Sequence, residues 1–266
     1  MDKIKKISNA TNLKYLAIAL MFLDHIHEMF AFMGAPMWLT MIGRLVFPIF
    51  LFLAADSFHY THDRKAYMKR LLFMFWFMSI GNTIVGSIFH NGDVGLMNNA
   101  FSTFLVTGIY ICSWDLLFKG LRDKSKDEIL KGIGLFLLPI ILAIPTLILA
   151  SMLTGGGLHP VVLRLLALVT IMIPSIITVE GSFLLVILGL LFYIFREHRN
   201  IQLVVLAVIS LIFYLIDPVD VQWMMVFAAI PMYFYNGERG SGNKNFFYIF
   251  YPAHIYLLWI LASLFR

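Results

Sequence analysis

Cysteine and charge are what this sequence has least of. Cys112 is the only cysteine in 266 residues, which excludes an internal disulfide and any cysteine-rich metal site. Charged residues make up 13% of the chain and hydrophobic ones 61%, against about 25% and 45–50% in a soluble globular domain. There is almost no room for a soluble domain. No HExxH sequence, Walker A loop or dinucleotide glycine fingerprint occurs, so no metal centre is expected and ATP hydrolysis is not the chemistry. The net charge of +5 is small and lies in connections, which speaks to membrane topology rather than to nucleic acid. No small-residue cleavage site follows the early lysines, so the first apolar run is expected to be a retained span. No internal repeat or low-complexity stretch is evident.

What the chain does have is length in apolar runs. Ten of them lie near 13–34, 41–59, 70–90, 98–119, 131–153, 160–178, 181–196, 201–217, 220–236 and 246–265. Most approach the roughly 17–25 residues that cross a bilayer, and mean hydropathy is +0.86. The expected fold is all-α: a polytopic transmembrane helical bundle of about nine to ten spans, one integral membrane domain over 1–266. Basic residues orient it. Lys3, Lys5, Lys6 and Lys14 begin the chain, HYTHDRKAYMKR carries Arg64, Lys65, Lys69 and Arg70, and KGLRDKSKDEILK carries five more. The alternate connections GAPMW, HNGDVGLMNN and TGGGLHP carry no Lys or Arg, so the amino terminus is predicted to be cytoplasmic. REHRN and YNGERGSGNKN both fit inside only if one segment between 131 and 196 is not a full span. The best candidate is 160–178, with Arg164 and Pro174, re-entrant or along the interface.

Ionisable residues inside such runs are expensive and mark function by default. KYLAIALMFLDHIHE, Lys14 to Glu28, concentrates Asp24, His25, His27 and Glu28 at one end. Lys14 and His25 share a helix face about 16 Å apart, which puts His25 near the midplane when Lys14 is at the surface. A neutral imidazole there suits a general base toward an amine or hydroxyl, with Glu28 on the same face to orient it. Asp24 is expected to pair with His27 or Glu28. The bland alternative is a polar cluster joining two spans by hydrogen bonds. In GRLVFPIFLFLAADSF, Arg44 either snorkels structurally or binds the acceptor, and Pro48 predicts a kink. Arg64, Lys69 and Arg70 are candidates for the phosphates of a nucleotide-containing donor such as coenzyme A, against ordinary positive-inside decoration. Asn82, Asn98, Asn99 and Ser102 either line a polar path or satisfy one another in packing. Glu180-Gly181 breaks two apolar segments, with Arg164 as one partner for the charge. His254, eight residues into the last span, is a second catalytic candidate or a packing histidine.

The stretches LKYLAIALMFLDHIHE, IGRLVFPIFLFLAADSFHYTHDRKAYMKRLL and IPMYFYNGERGSGNKNFFYIFYPAHIYLLWIL resemble the TraX family, named for a conjugation-plasmid protein that acetylates the amino terminus of pilin. The resemblance runs from about 12 to 264. It is most specific in Asp24-His25, GRxxFPxF, the YxxRLL start of the third span and the closing YPxH. At Glu180-Gly181 the chain departs from the family's Tyr-Gly pair. More distantly the family is similar to acyltransferase 3 membrane acyltransferases, whose Arg/Lys–ten residues–His spacing Lys14 and His25 reproduce. The resemblance implies an acetyl-CoA-dependent O- or N-acyltransferase in the bacterial cytoplasmic membrane. It would have His25, Asp24, Glu28 and His254 as catalytic residues, and Lys14, Arg64, Lys69 and Arg70 on the donor. Arg44 and Glu180 would meet the acceptor: pilin, a surface glycan or a lipid head group. The competing reading is a proton-coupled transporter using Asp24, His25 and Glu28 as a relay, and a third is a non-catalytic scaffold.

Overall fold

The structure is a computed structural model, and it describes residues 8–92, 95–155, 159–242 and 244–266. Lys3, Lys5 and Lys6, used above for orientation, lie outside the described residues, as do parts of HNGDVGLMNN and TGGGLHP. Among the described residues the chain is helical with no β-strand. In order come α1 Ala10–Phe30, extended by a 3-10 turn Ala31–Met33; α2 Trp38–Gly43; α3 Val46–His59; α4 Arg64–Ile88; α5 Ala100–Asp123; and α6 Lys126–Ile141. There follow α7 Ile144–Gly155, α8 Pro160–Thr170, α9 Phe183–Ile194, α10 Arg199–Ile216, a 3-10 segment Val221–Ala228, α11 Ala229–Phe234 and α12 Lys244–Leu264. Among the described residues seven stretches are long and apolar enough to cross a membrane, including Ala10–Met33, Trp38–His59 and Phe246–Leu264, and three shorter apolar helices join them. The ten segments coincide with the ten apolar runs of the sequence. This is a polytopic helical membrane protein.

Local chemistry explains the ends and breaks. Asn9 caps α1, its side-chain oxygen accepting the Asn12 N–H at 2.9 Å. Ser125 caps α6 ahead of Asp127 and Glu128 in the first turn, where carboxylates suit the positive end of the helix dipole. Pro48 acts upstream rather than as a kink in one continuous helix. The proline has no N–H for the carbonyl of Arg44 and its ring crowds that group, so the helix is interrupted at Arg44–Leu45 and α2 and α3 are separate. The run at 160–178 is helical only to Thr170. Its eleven residues rise about 16 Å, roughly half of a 30 Å hydrocarbon core. The twelve residues of α9 rise only about 18 Å.

The chain divides into two compact units, Met1–Tyr60 with Thr83–Leu96 and Leu191–Arg266 in one, Thr61–Asn82 with Met97–Leu190 in the other. In the first, the connection after α11 is sewn to the start of α1. The Ala10 N–H donates to the Glu238 carbonyl at 2.8 Å, and the Asn236 N–H to the Ser8 carbonyl at 3.0 Å. Arg199 donates to the carbonyls of Met232 and Tyr235. REHRN and YNGERGSGNKN therefore share the end that carries the amino terminus, as the charge pattern requires. Toward the opposite end, the Trp259 indole donates to the Phe89 carbonyl at 2.8 Å, and Arg266 lies 4.5 Å from the Phe32 ring centre. In the second unit, α5 and α6 form a hairpin of close approach. A Cβ on Gly132 would come within 2.7 Å of Leu117, and the Ser113 hydroxyl donates to the Gly132 carbonyl at 2.8 Å. Small residues let membrane helices approach in this way. Val106, Tyr110 and Val186 form a core there with Ile176, Val179 and Leu190 around it.

Candidate active site

α1 and α12 lie side by side in the first unit, and aromatic contacts fix their register. Tyr15 meets Phe247 with ring centres 5.6 Å apart, and Phe22 meets His254 at 6.3 Å. Both helices advance seven residues between those contacts, the step of two helices packed in parallel. His25, one turn beyond Phe22, reaches back toward the helix start as side chains on α-helices do. It meets His254: His25 Nδ1 and His254 Nε2 are 2.7 Å apart, and both residues are buried, at 5% and 3% exposure.

The backbone decides which nitrogens carry protons. His254 Nδ1 is 2.7 Å from the Phe250 carbonyl oxygen, which can only accept, so His254 Nδ1 carries the hydrogen. In the neutral ring Nε2 is then an acceptor, and His25 must donate to it from Nδ1. His25 Nε2 is left with its lone pair, 3.7 Å from a carboxylate oxygen of Glu28. One carbonyl thus sets two tautomers in series and presents a basic nitrogen beside an acid able to stabilise the imidazolium.

Asp24 turns to the other side of α1. It takes the hydroxyl of Thr40 and the guanidinium of Arg44, with Arg44 Nη2 at 3.1 and 3.4 Å from its two oxygens. Arg44 also donates to the Gln222 amide oxygen at 3.1 Å and to the Thr40 carbonyl at 3.3 Å. Asp24 was expected to pair with His27 or Glu28, and the structure corrects this. His27 donates instead to the Ala35 carbonyl at 2.8 Å and closes the turn after α1. Gly43 makes the ion pair reachable, because a Cβ there would sit 2.3 Å from Asp24 Cγ.

The sequence model of the TraX protein family matches residues 9–262. This chain belongs to the TraX family. A curated relative, a probable fimbrial assembly protein FimC, serogroup H1, from Dichelobacter nodosus, is 26% identical over 266 residues, 94% of either chain. No solved structure matches.

In this TraX chain the remaining sequence candidates fall in different places. Lys14 is half-buried, its Nζ 5.5 Å from the Phe247 ring centre. Arg64 is engaged by Asp115 at 2.5 Å and Lys69 is exposed. Arg70 is half-buried, and its Nε makes no hydrogen bond. The Glu180 carboxylate accepts the Asn99 N–H at the start of α5, and its main chain bonds Ser102 and Thr103. The partner found for Glu180 is that backbone rather than Arg164. Asn82 donates to the Asn98 carbonyl, and Asn99 donates to the Phe75 carbonyl and the Ser79 hydroxyl. These amides donate across the packed ends of α4 and α5. Among the described residues no group of three His, Cys, Asp or Glu could hold a metal.

Sequence reasoning missed Thr40, Gly43 and Gln222 at the Asp24–Arg44 pair. It also missed Arg199, which lies over Phe52 and Tyr235 at 4.6 and 5.1 Å. Gln222 had a signal, as a lone amide in the apolar run VQWMMVF. Thr40 had none that composition or periodicity supplies.

Proposed function

We propose that this protein is a membrane-embedded acyltransferase. It would move an acetyl group from cytoplasmic acetyl-CoA to an amine or hydroxyl presented at the outer side of a bacterial cytoplasmic membrane. The observation that carries the reading is the buried series Phe250 carbonyl, His254, His25, which aims an unprotonated Nε2 from a span beside Glu28. In the direct route, His25 Nε2 takes the proton of the acceptor N–H or O–H. The acceptor attacks the thioester carbonyl, the carbon–sulfur bond breaks, and the thiolate leaves and receives that proton. In the covalent route Nε2 itself attacks the thioester carbonyl, the carbon–sulfur bond breaks and the thiolate leaves; the acceptor then attacks the acetyl group on His25, the carbon–nitrogen bond breaks and the acceptor's proton passes to Glu28, an order that gives ping-pong kinetics. Glu28 stabilises the imidazolium in the direct route. The Asp24–Arg44 pair holds α1 against α2 and sets where that nitrogen sits.

The relative's name speaks of fimbrial assembly, so a pilin amine is the first acceptor to test, with glycan and lipid head groups after it. Labelled acetyl-CoA is supplied to the protein in nanodiscs and label is followed onto acceptor and onto protein. His25→Ala is expected to lower transfer by about 10²–10⁴-fold, the usual worth of a general base. A folded His25→Ala protein that retains most of the activity sinks the proposal. The 2.7 Å His25–His254 contact is also the geometry of a proton relay. Substrate-driven proton flux without coenzyme A binding would select the transporter.

A further inference from the structure

The glycine-rich connection 236–242, NGERGSG, carries a feature the proposed chemistry has not used. Besides the two main-chain bonds to Ser8 and Ala10, the Thr11 hydroxyl donates to the Arg239 carbonyl at 2.9 Å and accepts the Gly242 N–H at 3.2 Å. Gly237, Gly240 and Gly242 all take left-handed φ, of 83°, 74° and 64°. At Gly240 a Cβ would lie 2.6 Å from the Asn9 side-chain oxygen and 2.8 Å from the Thr11 hydroxyl. The main chain is thus fixed against the start of α1, and the Arg239 side chain is left exposed above it.

The Thr11–Arg239 bond sets Arg239 against α1 about one turn before the half-buried Lys14. Among the described residues neither cation has a carboxylate partner. Glu238, the nearest acid in sequence, is occupied by the Asn236 amide at 3.1 Å. Two like charges at the start of α1, one of them on a built loop and neither with a carboxylate partner among the described residues, suit an anion from outside. Arg supplies a planar fork for phosphate oxygens and Lys a point charge. From Lys14 to His25 the helix rises about 16 Å. The arm between the diphosphate and the sulfur of coenzyme A is a chain of about thirteen bonds, which with backbone-like geometry extends to roughly 15 Å. An anion held at Lys14 therefore delivers its sulfur to the level of His25.

We propose that Arg239 and Lys14, on the loop 236–242 and the first turns of α1, form the subsite for the donor's diphosphate. This rests on the acetyl-CoA reading and assigns it a second anchor.

The test uses the full chain in detergent and measures binding of coenzyme A and of pantetheine, which shares the arm and lacks the phosphates. Arg239→Gln leaves the loop's main-chain bonds in place and is expected to weaken coenzyme A about tenfold or more while leaving pantetheine unchanged. Arg239→Lys should fall between, since it keeps the charge and loses the fork. Equal coenzyme A affinity in wild type and Arg239→Gln overturns the subsite, as does no coenzyme A binding by the wild type. Acetyl transfer whose donor KM is indifferent to Arg239→Gln would overturn the subsite and leave the acyltransferase standing. Arg239-dependent binding without any acetyl transfer would do the reverse.

Discussion

The His25–His254 hydrogen bond can be tested by its non-additivity. In His25→Ala the Nε2 lone pair of His254 loses its donor, and in His254→Ala the Nδ1–H of His25 loses its acceptor. Both groups are buried, at 5% and 3% exposure, so each single variant carries about 1–3 kcal/mol for an orphaned polar atom, beyond the cavity. The double variant removes both partners and leaves no orphan. Its stability loss should fall short of the sum of the singles by both orphan penalties, about 2–6 kcal/mol, the direction of non-additivity expected for residues in contact. Activity should be more sharply non-additive. On the proposed mechanism His25→Ala removes the base, about 10²–10⁴-fold. His254→Ala removes only the group that fixes the base's tautomer, for which about tenfold, or 1.4 kcal/mol, is expected. The double variant should be no slower than His25→Ala, because residues acting as a unit are not lost twice. His254→Gln, whose amide oxygen can accept from Nδ1–H, should recover part of the loss. The assays are SDS unfolding in mixed micelles and acetyl transfer in nanodiscs. Stability losses that add and rate losses that multiply would show the two histidines to be independent, and the tautomer argument would be wrong.

Gly43→Ala places a methyl group 2.3 Å from Asp24 Cγ, where carbons in contact sit about 3.5–4.0 Å apart; it should destabilise by about 1–3 kcal/mol, and unfolding at wild-type denaturant would refute the close approach. Arg44→Met leaves the Asp24 carboxylate, only 15% exposed, without its cation and should cost about 3–5 kcal/mol, while adding Asp24→Leu should recover most of that loss; equal instability of single and double variants would refute the pair. The Tyr235 hydroxyl donates to the Asp56 carboxylate at 3.2 Å. Tyr235→Phe should lower neutral stability by about 0.5–1.5 kcal/mol, and unfolding at the wild-type denaturant concentration would refute that contribution.

The fold was legible because a bilayer imposes one dominant rule, and ten apolar runs became ten helical segments. Charge alternation placed REHRN and YNGERGSGNKN at the amino-terminal end, and the hydrogen bonds of Arg199 and Ala10 put them there. His25 and His254 were legible singly, as ionisable residues deep in apolar runs. Their contact was not, since it depends on how α1 and α12 register across 229 residues of chain. Asp24 was misread because helix periodicity offers only neighbours on its own helix. Its partner Arg44 lies on the next element, brought round by the break that Pro48 causes and admitted by Gly43. Periodicity sees one helix at a time, and these decisive contacts join two.

The loop 236–242 has a consequence for the site that its position alone does not suggest. It leads directly into α12, and its bonds to Ser8, Ala10 and Thr11 fix where α12 begins relative to α1. From there each residue turns the helix by about 100° and advances it about 1.5 Å. A slip of one residue in the loop would carry His254 off the face that meets His25, unless Tyr15, Phe22 and their aromatic partners on α12 opposed it. The three left-handed glycines follow from this demand. The loop must turn sharply and lie flat against Asn9 and Thr11, and side chains at Gly240 would lift it away. The loop that holds Arg239 at the start of α1 therefore also sets the register in which His254 meets His25.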